Sequence, residues 1–288
     1  MKTEIRMKIS SCILFYLFYF SSACSAQYYN LKNKNYYKDS TCSELYIGES
    51  IILYDGGKIK SKRQYVNGKA HGEFISYYEN GQINSISHYI NNVEQGECVL
   101  YFENGQTLYK INLVNGELQG DYFLYFGDAT IYQKGTYLDG VNHGEWFEYY
   151  DNKQLKFKFN YEKGIQTGES LSYHRNGQLQ NRSYFKNSLL DGEMSTYNEQ
   201  GILLSTSNFV NGELHGIETS YYPSGKVLKK QNYVYGKIEG AETSYYESGT
   251  VKSVRNFENG KLHGSTYLYF ENGKLNCKIK YTQGIEKI

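Results

Sequence analysis

The chain has 288 residues, and 31 Lys and Arg against 30 Asp and Glu leave a formal net charge of +1. That balance excludes a nucleic-acid binder working through bulk positive charge, and a mean hydropathy of −0.64 excludes a polytopic membrane protein. With 33 Tyr, 29 Gly, one Pro and one Trp, the chain is too aromatic for disorder and points to strands closed by tight turns.

At the amino terminus Lys2, Arg6 and Lys8 precede an apolar run from Cys12 to Phe20, followed by the small residues Ser21, Ser22, Ala23, Cys24, Ser25 and Ala26. This order reads as a secretory signal peptide over residues 1–26, cleaved after Ala26. The run is about half of the roughly 20 residues a bilayer span needs. Ser22-Ala23-Cys24 resembles a bacterial lipobox, which leaves lipidation at Cys24 as an alternative, although Ser21 stands where that motif has Leu. Either way the chain is expected outside the cytoplasm: periplasmic, at the cell surface or secreted. Residues 27–45, rich in Asn, Lys and Tyr, read as a leader or linker. Beyond the signal, Cys42, Cys98 and Cys277 are too few and too scattered for a disulfide framework, so they are expected as buried thiols in repeat positions.

From residue 46 onward a period dominates. Gly48, Gly72, Gly96, Gly120, Gly144, Gly168, Gly192, Gly216, Gly240 and Gly264 fall 24 apart. Five residues after each comes a tyrosine, from Tyr77 to Tyr269, with Leu53 in the first copy. A second glycine column includes Gly81 and Gly105 and lapses at Ala129 and Lys153; a third includes Gly68 and Gly116. An aliphatic column (Ile83, Leu155, Val227) and an aromatic column (Tyr65, Tyr89, Tyr137, Phe185) complete the signature. Each copy reads as a β-hairpin, since Glu79-Asn80-Gly81-Gln82 and Asn67-Gly68 are turns that exploit positive φ. If Gly81 closes a turn with a bulge, Tyr77 pairs with Ile83 and both share a buried face with Ile75. A lone hairpin is marginal, so neighbours must stack to bury that face. The expected fold is all-β, an elongated antiparallel meander of ten 24-residue hairpins over residues 46–288.

The run His71-Gly72-Glu73, then Tyr77-Tyr78-Glu79-Asn80-Gly81-Gln82-Ile83, then Tyr89 and Asn91, resembles the MORN-repeat variant family, bacterial members of which are often labelled YwqK-like antitoxin components. The resemblance implies an antiparallel sheet acting as a scaffold or contact surface, with lipid binding proposed for some members, and it supplies no catalytic residues. An antitoxin role sits poorly with a signal peptide, which takes the chain away from a cytoplasmic toxin.

Little points to chemistry. His71, His143, His215 and His263 share one repeat position, and equivalent positions lie about 10 Å apart per repeat, too far to converge on a metal. Glu49, Glu73, Glu97, Asp121, Glu145, Glu169 and Glu193 likewise give one carboxylate per site, too few for calcium. No enzyme, cofactor or metal site is expected. Two stripes remain as binding candidates. Lys62, Lys110, Lys134, Lys158, Arg182, Lys230 and Lys278 hold one column in seven of ten copies and are expected opposite Ile83 and Tyr89, as a comb for an anionic polymer or lipid or as a solvated face that guards against edge pairing. Tyr54, Tyr78, Phe102, Phe126, Tyr150, Tyr222, Tyr246 and Phe270 are expected on the same face as the lysines, as rings for the sugar faces of an envelope polysaccharide or as packing along a thin sheet. The reading that follows is an exported, non-enzymatic scaffold for a protein partner, with an envelope glycan, anionic polymer or lipid as the alternative ligand, an antitoxin role resting on the family label alone, and no nucleic acid.

Overall fold

The computed structural model describes residues 28–30, 35–38 and 44–287. The expected signal peptide, its cleavage site, Cys24 and Cys42 lie outside the described residues. The chain divides into two compact units, Met1–Val93 and Glu94–Ile288.

In the second unit eight hairpins follow one another. The first pairs Gly96–Tyr101 with Thr107–Val114, and the last pairs Gly264–Tyr269 with Leu275–Thr282 before a short Ile285–Lys287 strand. Each strand pairs antiparallel with its chain neighbours, through Phe123 opposite Lys110, Leu171 opposite Lys158 and Thr219 opposite Lys230. The pattern is the open meander expected from the period. The first unit holds two further hairpins, Gly48–Leu53 with Ile59–Val66 and Lys69–Tyr77 with Ile83–Ile90.

Two irregularities per repeat explain the glycine columns. At the first turn Gly81 bonds back to the Tyr78 carbonyl at 2.9 Å and takes φ +89°, and Tyr77 pairs with Ile83 after a register shift, as expected. Ala129 and Lys153 hold the same left-handed conformation without the freedom of glycine, at φ 63° and 70°. The second irregularity was not anticipated. Leu118 pairs with Leu113 but Phe123 pairs with Lys110, so the chain bulges at Gly120. Its φ of +80° with open space at the Cβ position shows that backbone conformation, not crowding, selects glycine there.

The first bulge corrects the expected faces. Strict alternation would put Ile83 and Tyr89 on one side, but the extra residue turns them to opposite sides. One face, called outer here, carries the tyrosines after the first glycine column, the aliphatic column and the lysine column: Tyr77 opposes Ile83, and Lys62 opposes Ile75. The other, inner face carries Phe74, Ser76 and Ser87 together with the Tyr89 column, since Gly72 opposes Tyr89 and Phe74 opposes Ser87. The better buried face is the inner one. Phe74, Ser76 and Ser87 are buried, whereas Ile75, Tyr77 and Ile83 are only half-buried.

The core of the second unit sits on the inner face. Tyr122, Leu124 and Trp146 are buried, with Leu108, Tyr109, Ile111, Tyr132, Tyr137, Phe159 and Tyr161 packed around them. The Trp146 ring lies 5.4 Å from that of Tyr122 and 5.1 Å from that of Tyr137, and its Nε1 donates to the Thr136 carbonyl. Gly135 makes room for it: a Cβ there would stand 2.2 Å from the indole. Cys98 is buried as expected, but Cys277 is exposed. Cys277 stands opposite Leu268 in the hairpin that pairs with the short Ile285–Lys287 strand.

In the first unit the leader is not a free linker. Residues 28–30 pair with 35–37, Tyr36 N–H donates to the Gly68 carbonyl at 2.7 Å, and Gly68 N–H donates to that of Tyr46 at 2.8 Å. The rings of Tyr36 and Tyr46 rest on buried Tyr65, with centroids 4.6 and 5.7 Å away. Tyr36 and Tyr46 thus pack against the turn of the first hairpin.

Candidate functional site

The lysine column lies on the outer face, with the tyrosine column rather than opposite the whole apolar set. Within the second unit three of its six cations are met by the acidic column on the same face. Lys110 Nζ stands 2.5 Å from Glu97, Lys158 Nζ 2.5 Å from Glu145, and Arg182 Nε 2.6 Å from Glu169. The geometry is diagonal: Lys110 pairs in register with Val99, two residues beyond Glu97. Each cation is held above its ordinary pKa, first by the hydrogen bond that it donates to its carboxylate partner. The ammonium groups also lie over rings, Lys134 at 5.0 Å from Phe147, Lys158 at 5.8 Å from the same ring and Lys278 at 5.4 Å from Tyr267. Lys62, in the first unit, is half-buried, whereas Lys230 and Lys278 are exposed.

The ring column falls on the inner face, opposite the lysines, which corrects the second expectation. Tyr78, Phe102, Phe126, Tyr150, Tyr222 and Tyr246 are half-buried, and only Phe270 is exposed, at 50%. Each ring stands at the start of the first turn, and four of the tyrosines reach into the next hairpin. Tyr150 donates to the Tyr173 carbonyl at 2.9 Å, Tyr222 to that of Tyr245 and Tyr246 to that of Tyr269, both at 2.8 Å; Tyr54 does the same to Tyr77 at 2.6 Å. Where the column has His174, its Nε2 meets the Tyr197 carbonyl at 2.9 Å. Lys156 lies over Tyr150 and Lys252 over Tyr246, both at 5.6 Å. These hydroxyls lace one repeat to the next.

Two features escaped sequence reading. The inner row that holds Tyr122 and Trp146 continues as Ser170, Met194, Glu218, Glu242 and Thr266. Glu242 is 4% exposed, paired with Arg255 at 2.6 Å and Lys229 at 3.9 Å. Buried Gln231 donates to Glu218 and, at 2.7 Å, to the Tyr233 hydroxyl, whose pKa is raised first by burial and then by Glu218. The signal was present, since the column switches from rings to carboxylates, but only the inner placement of that row gives it meaning.

The second feature is an aliphatic edge at the second turns, which join successive hairpins. Val114, Val141, Ile165, Leu189, Val210 and Val234 are each 38–48% exposed, one in each of six successive hairpins. Most face a charged residue across the turn, as Ile165 faces Glu162, Leu189 faces Lys186 and Val210 faces Glu213. Val141 and Leu189 lie beside the glycine of the following turn, Gly164 and Gly212, and are 40% and 47% exposed. The four repeat histidines stand near these turns, and among the described residues no three metal-ligating side chains converge. No helix among the described residues is long and apolar enough to cross a membrane.

The family model for the MORN repeat variant matches residues 70–91, 94–115, 142–163, 166–187, 190–211, 214–235, 238–259 and 262–283. The chain belongs to that family, a repeat family whose members often bind other molecules and are generally non-enzymatic. The two hairpins left unmatched each depart from the signature, at Leu53 in one and at the Gly127-Asp128-Ala129 turn in the other. No curated protein matches the chain. Among solved structures it is similar to a GtfA/B complex bound to UDP and GlcNAc (12% identity, 54% of this chain and 31% of that chain, TM-score 0.20). It is also similar to TcdB2-TccC3 (12%, 82% and 16%, TM-score 0.20) and to the Photorhabdus luminescens Tc holotoxin pore (13%, 82% and 15%, TM-score 0.17). The chain spans less than a third of each of those chains, and likeness at such TM-scores carries no argument.

Proposed function

We propose that the protein is an exported, non-catalytic scaffold whose aliphatic edge docks a protein partner through several repeats at once. The observation that carries this reading is the recurrence of one part-exposed aliphatic per turn from Val114 to Val234, set about 10 Å apart by the two-strand repeat. Recurring apolar side chains rimmed by charges suit a protein surface rather than a hydrated polymer. The paired lysine column supports the same choice, because Glu97, Glu145 and Glu169 already neutralise three of its cations. The expected signal peptide, which would carry the chain across a membrane, favours an envelope or extracellular partner over a cytoplasmic toxin.

The test is affinity capture from the host envelope with the full chain and with an Ile165→Asp/Leu189→Asp variant. The scaffold reading expects one stoichiometric protein, retained at high salt and lost from the variant while circular dichroism stays unchanged. Polymer captured without protein, or equal capture by both chains, would sink it.

A further inference from the structure

Two clefts on the outer face of the second unit each include one cation of the lysine column, one cleft at the Gly120 bulge and the other at the first turns, and they differ in charge. The first, about 430 Å³, is lined by Lys110, Phe123, Glu97 and Asp121. The second, about 500 Å³, lies between the first turns of two later hairpins and is lined by Lys226, Lys230, Tyr245 and Ser248, with no carboxylate in its wall. The difference has a definite origin in register. A column cation finds its acid two residues before the residue that it opposes, as Lys110 opposes Val99 and meets Glu97. Lys230 opposes Thr219 on one side and Thr243 on the other. The corresponding residues two earlier are Ile217, which is 57% exposed, and Ala241. The acidic column stops just where this cleft begins.

We infer that the Lys226–Lys230 cleft binds a phosphate monoester. Lys226 is positioned by donating to the Glu247 carbonyl at 2.8 Å, which leaves two of its three N–H groups free. Lys230 has no ion pair among the described residues. Two ammonium groups supply donors to one open space that Tyr245 and Ser248 also line, the Ser248 hydroxyl donating to that of Thr250 at 3.3 Å, and lysine binds phosphate as a point charge without needing a planar fork. The volume accommodates the ester group with a small attached moiety, on a soluble molecule or on a lipid headgroup. The site lies at the opposite turns from the aliphatic edge and does not depend on it.

The experiment is a titration of the full chain with inorganic phosphate, read by calorimetry, in parallel with co-sedimentation on phosphatidylcholine vesicles with and without phosphatidic acid. Saturable phosphate binding is expected, abolished in Lys226→Ala/Lys230→Ala and unchanged in Lys110→Ala. Ile217→Glu keeps both lysines but restores the missing acid, and should weaken binding roughly tenfold through like-charge repulsion of the ligand. Phosphate binding without sedimentation assigns the site to a soluble ester; sedimentation that needs phosphatidic acid and is competed by phosphate assigns it to a headgroup. Absence of binding to both probes, or equal binding by the wild-type chain and Ile217→Glu, would overturn the proposal.

Discussion

The inner face of the second unit is built by two different chemistries on one backbone. Over residues 94–165 it is a core in the usual sense, with Tyr122, Leu124 and Trp146 buried among seven further apolar side chains. Over residues 166–287 the same rows carry Ser170, Ser172, Ser183, Ser207, Gln231, Glu242, Ser253 and Thr266, all buried. There hydrogen bonds take the place of ring packing: Ser244 with Ser253 at 2.6 Å, Asn181 to Ser172 at 2.9 Å, Thr196 to Asn181 at 3.0 Å. A hydrogen bond between groups that water would otherwise satisfy contributes about 1 kcal/mol net, whereas burying a large aromatic contributes several times that. A hairpin meander therefore holds its shape without a continuous apolar core, provided that its turns and cross-repeat hydroxyls are kept. The apolar stretch anchors the array, and the polar stretch is held by its neighbours.

The comparison breaks most sharply at Trp146. Trp146→Ala should cost about 3–5 kcal/mol, and amide exchange should speed up across residues 108–161 while residues 240–270 change little. Uniform loss of protection would mean that the two stretches do not differ as described.

Alkaline pH should separate the two stretches next. Burial raises the pKa of Tyr122 above its ordinary 10.0, and those of Tyr132 and Tyr137 in the same direction. Folding favours the protonated phenols, so their contribution is full below the unfolded value and is lost as pH rises through the folded values. Denaturant midpoints should fall above about pH 10, with the 94–165 stretch opening first by hydrogen exchange.

A smaller effect is expected in the polar stretch. Tyr246→Phe removes the hydroxyl that reaches the Tyr269 carbonyl and should cost about 0.5–1.5 kcal/mol, with exchange increasing locally at the turns of the last two hairpins. An unchanged midpoint would show that the lacing hydroxyls are incidental. The smallest effect belongs to the outer face. A double-mutant cycle on Lys158 and Glu145 should give a coupling of about 0.2–1 kcal/mol that fades with salt, and a coupling above that range would mean that the ion-pair column shapes the sheet.

The sequence alone determined the repeat, the hairpins, both turn types and the Tyr77–Ile83 pairing, because turns are local: Gly81 and Asn67-Gly68 select their conformations within four residues. It also placed the lysine and ring columns correctly along the chain. It could not assign them to faces, because the one extra residue at each first-turn bulge reverses the alternation that face assignment depends on. That reversal put the Tyr78 column inside with the Tyr89 column and brought the acids beside the lysines on the outer face. It also gave Glu218 and Glu242 a buried row that their neighbours in sequence do not suggest. Which columns are free to meet a partner was thus decided by the tertiary structure, through the one-residue bulge at each first turn.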